Sequence, residues 1–397
     1  MTRPARGALG IVLGVLAAFA CAAASGFRAT PYDNFALLAD AFRHGRVWID
    51  WPGPYIDALS YHGRYYVIEA PLPALLLLPA VMLRGTLASQ SLLSAILGGV
   101  AVWATWEIGE RLRVVVLARA AICGLLFFGT DLFWAATFGD VWFIAHVASV
   151  AFTMLALLEL AGARRGWLVA LFAACAVESR FALVLALPVY GAMLALGIGD
   201  APSAEPRAGR LRRLATFGAM LVPFVAFYLW YDVARWGSLD DIGYTAWFHQ
   251  DSAGSPFGSP FALRYLGYEL QSFFVQGAGL QPTFPYVVPT LSGLALEYTS
   301  PALVLAFFAR GARSFVAALW VATLLTATPD FIYYVNGYAQ FGMRHALDFE
   351  PYLAVLALLA TRRAYGPAVT ALWGLLLAYS MAVGGWSVWY WRAILRH

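Results

Sequence analysis

The sequence predicts an all-α polytopic membrane protein: a bundle of about eleven transmembrane helices, with further helices lying at the external membrane surface. Three observations set this class. Of 397 residues, 61% are hydrophobic and 12% charged, with a mean hydropathy of +0.70, a balance foreign to water-soluble domains of this length. Apolar runs near the ~20 residues that cross a bilayer recur from end to end, each closed by Arg, Gly or Pro. The 26 basic side chains are all Arg, since the chain has no Lys, and clusters of them fall between runs in the alternation that the positive-inside bias produces. The net charge of +4 is small and forms no basic stripe, which excludes a nucleic-acid footprint. Cys21, Cys123 and Cys175 lie in apolar runs without C-x-x-C spacing, so neither a disulfide framework nor a zinc site is indicated.

The first run, 8–26, follows Arg3 and Arg6, which puts the N-terminus in the cytoplasm. A cleaved signal peptide is the competing reading, because 21–25 is rich in small residues. Residues 27–70 are polar, expected outside, and carry Asp33, Asp40, Asp50, Asp57 and Glu69. The apolar run 71–83 is too short to cross and ends at Arg84 and Gly85, so it reads as an interfacial helix. A span over 87–106 sets the parity and leaves Arg111, Arg113 and Arg119 inside. Spans 114–128 and 141–160 enclose an external loop, 129–140. Short spans 167–177 and 181–198 meet outside at Glu178, Ser179 and Arg180. After a cytoplasmic segment, 199–213, and a span over 214–234 comes a second long external region, 235–290, in which 261–275 reads as another interfacial helix. Spans 292–308, 315–328, 346–359 and 368–383 complete one transmembrane domain, with an external segment at 329–345. The tail carries Trp386, Trp389, Trp391, Arg392 and Arg396, an interfacial anchor. Glu159 and Glu297, near or within spans, are expected to face partners inside the bundle.

Most of the 22 acidic residues fall in external loops or at the outer ends of spans. Acidic residues contribute little to insertion, so this clustering points to work done on the outer face. The first loop contains Thr30-Pro31-Tyr32-Asp33-Asn34, then a helical pattern with Phe35, Leu38 and Phe42 on one face. Asp33 can simply cap that helix. Farther on come Asp57, Tyr61-His62-Gly63-Arg64-Tyr65-Tyr66 and Glu69-Ala70-Pro71-Leu72-Pro73. Aromatic rings beside Asp, His and Arg suit a sugar or a lipid phosphate, and they also populate any interfacial aromatic belt. His146 lies on an apolar span and reads as a hydrogen-bonded core histidine. His249 and Asp251 sit in a Gly- and Ser-rich stretch that reads as a loop or a lid.

These patches resemble the loops of the GT-C membrane glycosyltransferases, in particular the protein O-mannosyltransferase and aminoarabinose transferase group with its lipopolysaccharide-core branch. An early Asp after the first span, a helix, Gly63-Arg64-Tyr65-Tyr66 and the Pro-rich entry to an interfacial helix are similar to the family's first loop. Phe138-Gly139-Asp140-Val141-Trp142, Glu178-Ser179-Arg180, Tyr231-Asp232-Val233-Ala234-Arg235-Trp236-Gly237-Ser238 with Gly243-Tyr244, and Gly337 to His345 with Asp348 and Pro351 follow in the family's order. The resemblance implies inverting transfer of a sugar from a polyprenyl-phosphate donor to a glycan, lipid or protein acceptor, on the outer face of the cytoplasmic membrane. It implies Asp33 as the general base and Asp140 as a second catalytic carboxylate that orients the acceptor or, if a divalent metal ion is used, ligates it. Arg344, Arg180 and Arg64 are the implied phosphate contacts, and Asn34, Asp57, Tyr65, Tyr66, Tyr244 and His345 the implied substrate contacts. Two positions depart from the family: Asn34 stands where the mannosyl and aminoarabinose transferases have Glu, and Glu69-Ala70-Pro71 lacks the aminoarabinose enzymes' Lys and paired Pro. A noncatalytic relative that binds lipid-linked sugar is the alternative these departures keep open. A secondary transporter is the other, although no internal repeat is visible. An enzyme should bring Asp33, Asp140 and an Arg to one outward-facing cavity, whereas a transporter should centre its site at the membrane midplane.

Overall fold

The computed structural model describes residues 3–53, 58–201 and 205–395. The described residues are mostly helical. In order, the helices are α1 (Arg3–Ala24), α2 (Asn34–Arg43), α3 (Leu72–Arg84), α4 (Gln90–Arg111), α5 (Val116–Phe128), α6 (Leu132–Phe138), α7 (Phe143–Leu160), α8 (Gly166–Val177), α9 (Leu187–Leu196), α10 (Arg207–Trp236), α11 (Gly243–Gln250), α12 (Leu266–Phe274), α13 (Leu296–Thr299), α14 (Arg313–Phe331), α15 (Glu350–Ala360) and α16 (Pro367–Tyr390). Three two-stranded pairings accompany them: an antiparallel hairpin of β1 (Leu59–Tyr61) and β2 (Arg64–Tyr66), a second of β3 (Gly279–Leu280) and β4 (Val287–Val288), and a parallel pair of β5 (Ser292–Leu294) and β6 (Gln340–Gly342).

Among the described residues six helices are long and apolar enough to cross a bilayer: α1, α4, α7, α10, α14 and α16 with its continuation. Seven result if α5 and α6, bent by 55°, count as one broken span. The expected count of about eleven included four runs that fold into shorter elements. Three are the apolar helices Gly166–Val177, Phe181–Leu196 and Glu350–Ala360. The fourth, expected over 292–308, begins as strand β5 and short helix α13 and ends as a 3₁₀ turn over Pro301–Phe308. Proline restricts the residue before it and removes a backbone donor, which is why a continuous helix does not cross Ser300-Pro301. Residues 129–140, expected as a loop, contain α6, whose seven residues are all buried. Glu297, expected inside the bundle, lies exposed on α13, whereas Glu159 is buried and accepts from Arg165 at 2.9 Å.

Helix α7 is the buried centre of the bundle, and α1, α10 and α16 carry its outer surface. Their exposed side chains include Ile11, Val15 and Phe19 on α1 and Val222, Val225 and Trp230 on α10. Such an apolar exterior suits lipid, in which helices associate through close van der Waals packing. The crossing of α1 and α4 shows how: a Cβ on Gly99 would stand 2.4 Å from the Gly14 carbonyl oxygen, so the backbones meet only because both residues are glycine.

The two ends of the bundle differ. At one, Arg111 donates to the Leu158 carbonyl, Arg165 pairs with Glu159, Arg213 with Glu205 at 2.9 Å, and Arg362 with Asp200 at 2.6 Å. The other end, about 27 Å away along the 18 residues of α7, gathers α2, α3, α11, α12, both hairpins and the β5–β6 pair.

Candidate active site

Two adjacent side chains at the start of α4 lace this second end together. Gln90 is buried; its amide nitrogen donates to the Gly139 carbonyl at 2.7 Å and to the Tyr32 carbonyl at 3.2 Å, and its oxygen accepts from the Phe35 N–H at 3.0 Å. Ser91 accepts from the Thr30 N–H at 3.1 Å and donates to the Phe138 carbonyl at 2.8 Å. The Val141 N–H donates to the Tyr32 carbonyl at 3.1 Å, and the Thr30 hydroxyl to Asp140. The segment around Asp33 and the segment around Asp140 are thus fastened to each other although 107 residues apart in sequence. Gly139 makes the second segment possible. Its φ of +59° is left-handed, and a Cβ there would lie 2.8 Å from Ser94 Cβ and 2.9 Å from Ser91 Cα.

Asp140 and Arg344 line one cavity of about 850 Å³. Its walls are aromatic: Tyr32, Trp142, Trp247, Tyr268, Tyr338 and Trp391. Asp251, which accepts from the Tyr334 hydroxyl, and Asn336, which accepts from Tyr268 at 2.8 Å, add polar groups. Arg344 is buried and held by its own strand-turn: its guanidinium donates to the Tyr338 carbonyl at 3.1 Å and to Gln340 Oε1 at 3.0 Å. Gln340 in turn donates to the Ser292 and Asn336 carbonyls, each at 2.8 Å. A mostly aromatic cavity with a few fixed polar groups is how proteins hold sugars and cofactors.

Asp33 flanks the cavity through its neighbour Tyr32 and does not itself line it, so of the three groups expected in one cavity the structure brings together Asp140 and Arg344 and leaves Asp33 beside the wall. It precedes α2 without a side-chain cap bond, so the capping alternative is not the arrangement adopted. Burial pushes its carboxyl above the ordinary aspartate range. Asn34 is buried and donates to Glu69 at 3.4 Å. Arg64 stacks on Trp48 at 3.8 Å, with Tyr65 and Tyr66 beside it on β2. Asp57 lies outside the described residues.

Arg180 is placed elsewhere, in a buried network. It binds Asp348 at 2.7 Å and Asp330 at 3.4 Å, while His146 lies 3.2 Å from Asp348 and His345 3.1 Å from Asp330. Burial and the neighbouring Arg344 and Arg180 hold His345 well below the usual histidine range, hence neutral. Tyr244 meets Tyr333 edge-on at 6.2 Å, and burial pushes its hydroxyl up to about 12. Asp140 belongs to no group of three or more His, Cys, Asp or Glu side chains able to hold a metal among the described residues.

Sequence reasoning missed the lacing pair Gln90 and Ser91 and the wall residues Trp247 and Asn336, while Tyr268 was expected only as part of the interfacial helix over 261–275. Trp142 and Tyr338 stood inside stretches it singled out, but nothing in one sequence marks an aromatic as wall rather than belt.

Helix-rich and polytopic, with short broken elements and surface helices gathered at one end, the chain shares its fold with a solved polytopic membrane protein. It is similar to the solved structure of ArnT from Cupriavidus metallidurans bound to undecaprenyl phosphate, over 98% of this chain, with a TM-score of 0.55 and 16% identity. This chain spans 65% of the length of that one. No family model and no curated protein matches the sequence.

Proposed function

We propose that the protein is a membrane glycosyltransferase that moves a sugar from a polyprenyl-phosphate donor to a hydroxyl of a glycan, lipid or protein acceptor, on the outer face of the cytoplasmic membrane. The observation that carries this reading is the meeting of Asp140 and Arg344 in one aromatic cavity, beside the fastened Asp33 segment. In the reaction the acceptor oxygen forms a bond to the anomeric carbon as the bond from that carbon to the phosphate oxygen breaks. The acceptor proton passes to a carboxylate and the polyprenyl phosphate leaves, with inversion. Asp33 is the base, its affinity for a proton raised by burial. Asp140 orients the acceptor, and Arg344 neutralises charge growing on the leaving phosphate.

The fold's likeness to a protein solved with undecaprenyl phosphate supports the donor class. The cavity's place at the ends of helices, just before α7 begins, supports surface chemistry over transport through a midplane site. By the positive-inside bias the arginine-rich end faces the cytoplasm, along with the N-terminus. The test is transfer from a panel of polyprenyl-phosphate sugars by the protein in nanodiscs, comparing wild type with Asp33→Asn and Asp140→Asn. Transfer that both variants abolish while remaining folded is the expected result. Transfer that survives in Asp33→Asn would move the base to Asp140, and donor binding without turnover in the wild type would favour a noncatalytic role.

A further inference from the structure

A second cavity, of about 310 Å³, lies back to back with the first and shares Tyr32 with it. Its charge is opposite. Asp140 and Asp251 outnumber Arg344 in the large cavity, whereas Arg28 and Arg392 line the small one and no carboxylate does. One nitrogen of Arg392 donates to the Ala24 carbonyl at 2.7 Å, at the last turn of α1. That bond fixes the guanidinium at the cavity and uses one of its five N–H groups. Arg28 makes no ion pair among the described residues. The surroundings are those of a membrane surface: exposed Phe19 and Phe27 on the α1 side and exposed Trp389 on the α16 side place apolar surface beside the two cations.

We propose that this cavity binds the phosphate of a membrane lipid, clamped by Arg28 and Arg392, with its chains against the apolar flank of α1. Two guanidiniums without a competing carboxylate match a phosphate's charge and its several acceptor oxygens. Exposed phenylalanines next to them suit acyl chains and would be of no use to a free ion. The inference is independent of glycosyl transfer, because it rests on the small cavity alone.

The experiment uses the full chain in phosphatidylcholine nanodiscs doped with phosphatidic acid carrying a photoactivatable group on its acyl chain. A matched phosphatidylcholine probe and competing inorganic phosphate run in parallel. In the wild type, phosphatidic acid should label residues 15–32 and 386–394 several-fold more strongly than phosphatidylcholine. Arg28→Gln or Arg392→Gln should each lower that preference about threefold, and the double variant should abolish it; both side chains are exposed, so the fold is retained. Competition by millimolar inorganic phosphate would assign the same clamp to the phosphate group itself, and no competition would assign it to the lipid. Equal labelling by the two lipids, or a double variant that labels like the wild type, would overturn the proposal.

Discussion

Replacing Gln90 by Met keeps the length and volume of the side chain and removes its amide. Three hydrogen bonds disappear, those to the Gly139 and Tyr32 carbonyls and from the Phe35 N–H. Each is worth about 1 kcal/mol net, so the loss is about 3 kcal/mol, equivalent to a factor of about 150 in the equilibrium that opens this junction. The Phe35 amide is the cleanest reporter. It lies in the first turn of α2, where no intrahelical acceptor exists, and the Gln90 oxygen is its acceptor. Hydrogen exchange followed by mass spectrometry in detergent or nanodiscs should show residues 30–36 and 137–141 of the variant exchanging about a hundredfold faster. Exchange in the β1–β2 hairpin, which Gln90 does not touch, should be unchanged. If the Phe35 amide exchanges at the wild-type rate, the lacing argument is wrong.

Arg344→Gln should weaken donor binding at least tenfold, because it removes the single cation lining the large cavity among the described residues; titration with a polyprenyl phosphate measures this. Transfer should rise with pH along a limb set by Asp33, which works ionised, and that limb should lie above the ordinary aspartate value because burial raises the carboxyl; pH–rate profiles locate it. Glu269 on α12 is buried with neither carboxyl oxygen hydrogen-bonded, and burial pushes it up to about 8. It is protonated in the fold and ionised in the unfolded chain between its ordinary 4.5 and about 8, so stability falls as pH rises through that window. Glu269→Gln should therefore raise Tm relative to wild type at pH 8 and leave it nearly unchanged at pH 4.5. Gly139→Ala should destabilise by about 1–3 kcal/mol, since the new Cβ meets Ser91 and Ser94 and the left-handed φ is strained; thermal unfolding measures it.

The class of fold was legible because lipid leaves helices and closed barrels as the ways to satisfy backbone groups, and apolar runs near ~20 residues have the length of a helical span rather than of a barrel strand. Interfacial elements were legible from length: 71–83 was too short to span and became α3, and 261–275 became a 3₁₀ turn followed by α12. Breaks inside apolar stretches were not legible, as 129–140 shows. A polar Gly-Thr-Asp there reads as a loop, yet the residues after it form a buried helix bent off α5, because tertiary packing rather than local polarity decides. At the site, Asp140 and Arg344 belong to stretches that the resemblance picked out, and their meeting is a matter of three-dimensional distance across 204 residues. Arg180 carried the same signal and sits instead in the Asp348 and Asp330 network. An arginine between two short spans reads identically in sequence whether its partner is a ligand or a buried carboxylate.

The central claim is that the cavity between Asp140 and Arg344 receives a polyprenyl-phosphate sugar. The most direct measurement is a cryo-electron microscopy structure of the full chain in nanodiscs with a non-hydrolysable polyprenyl-phosphonate sugar. The account predicts the sugar against Trp142 and Trp247 within hydrogen-bonding reach of Asp140, with the phosphonate beside Arg344. A sugar bound anywhere else, or a phosphonate out of reach of Arg344, would contradict it.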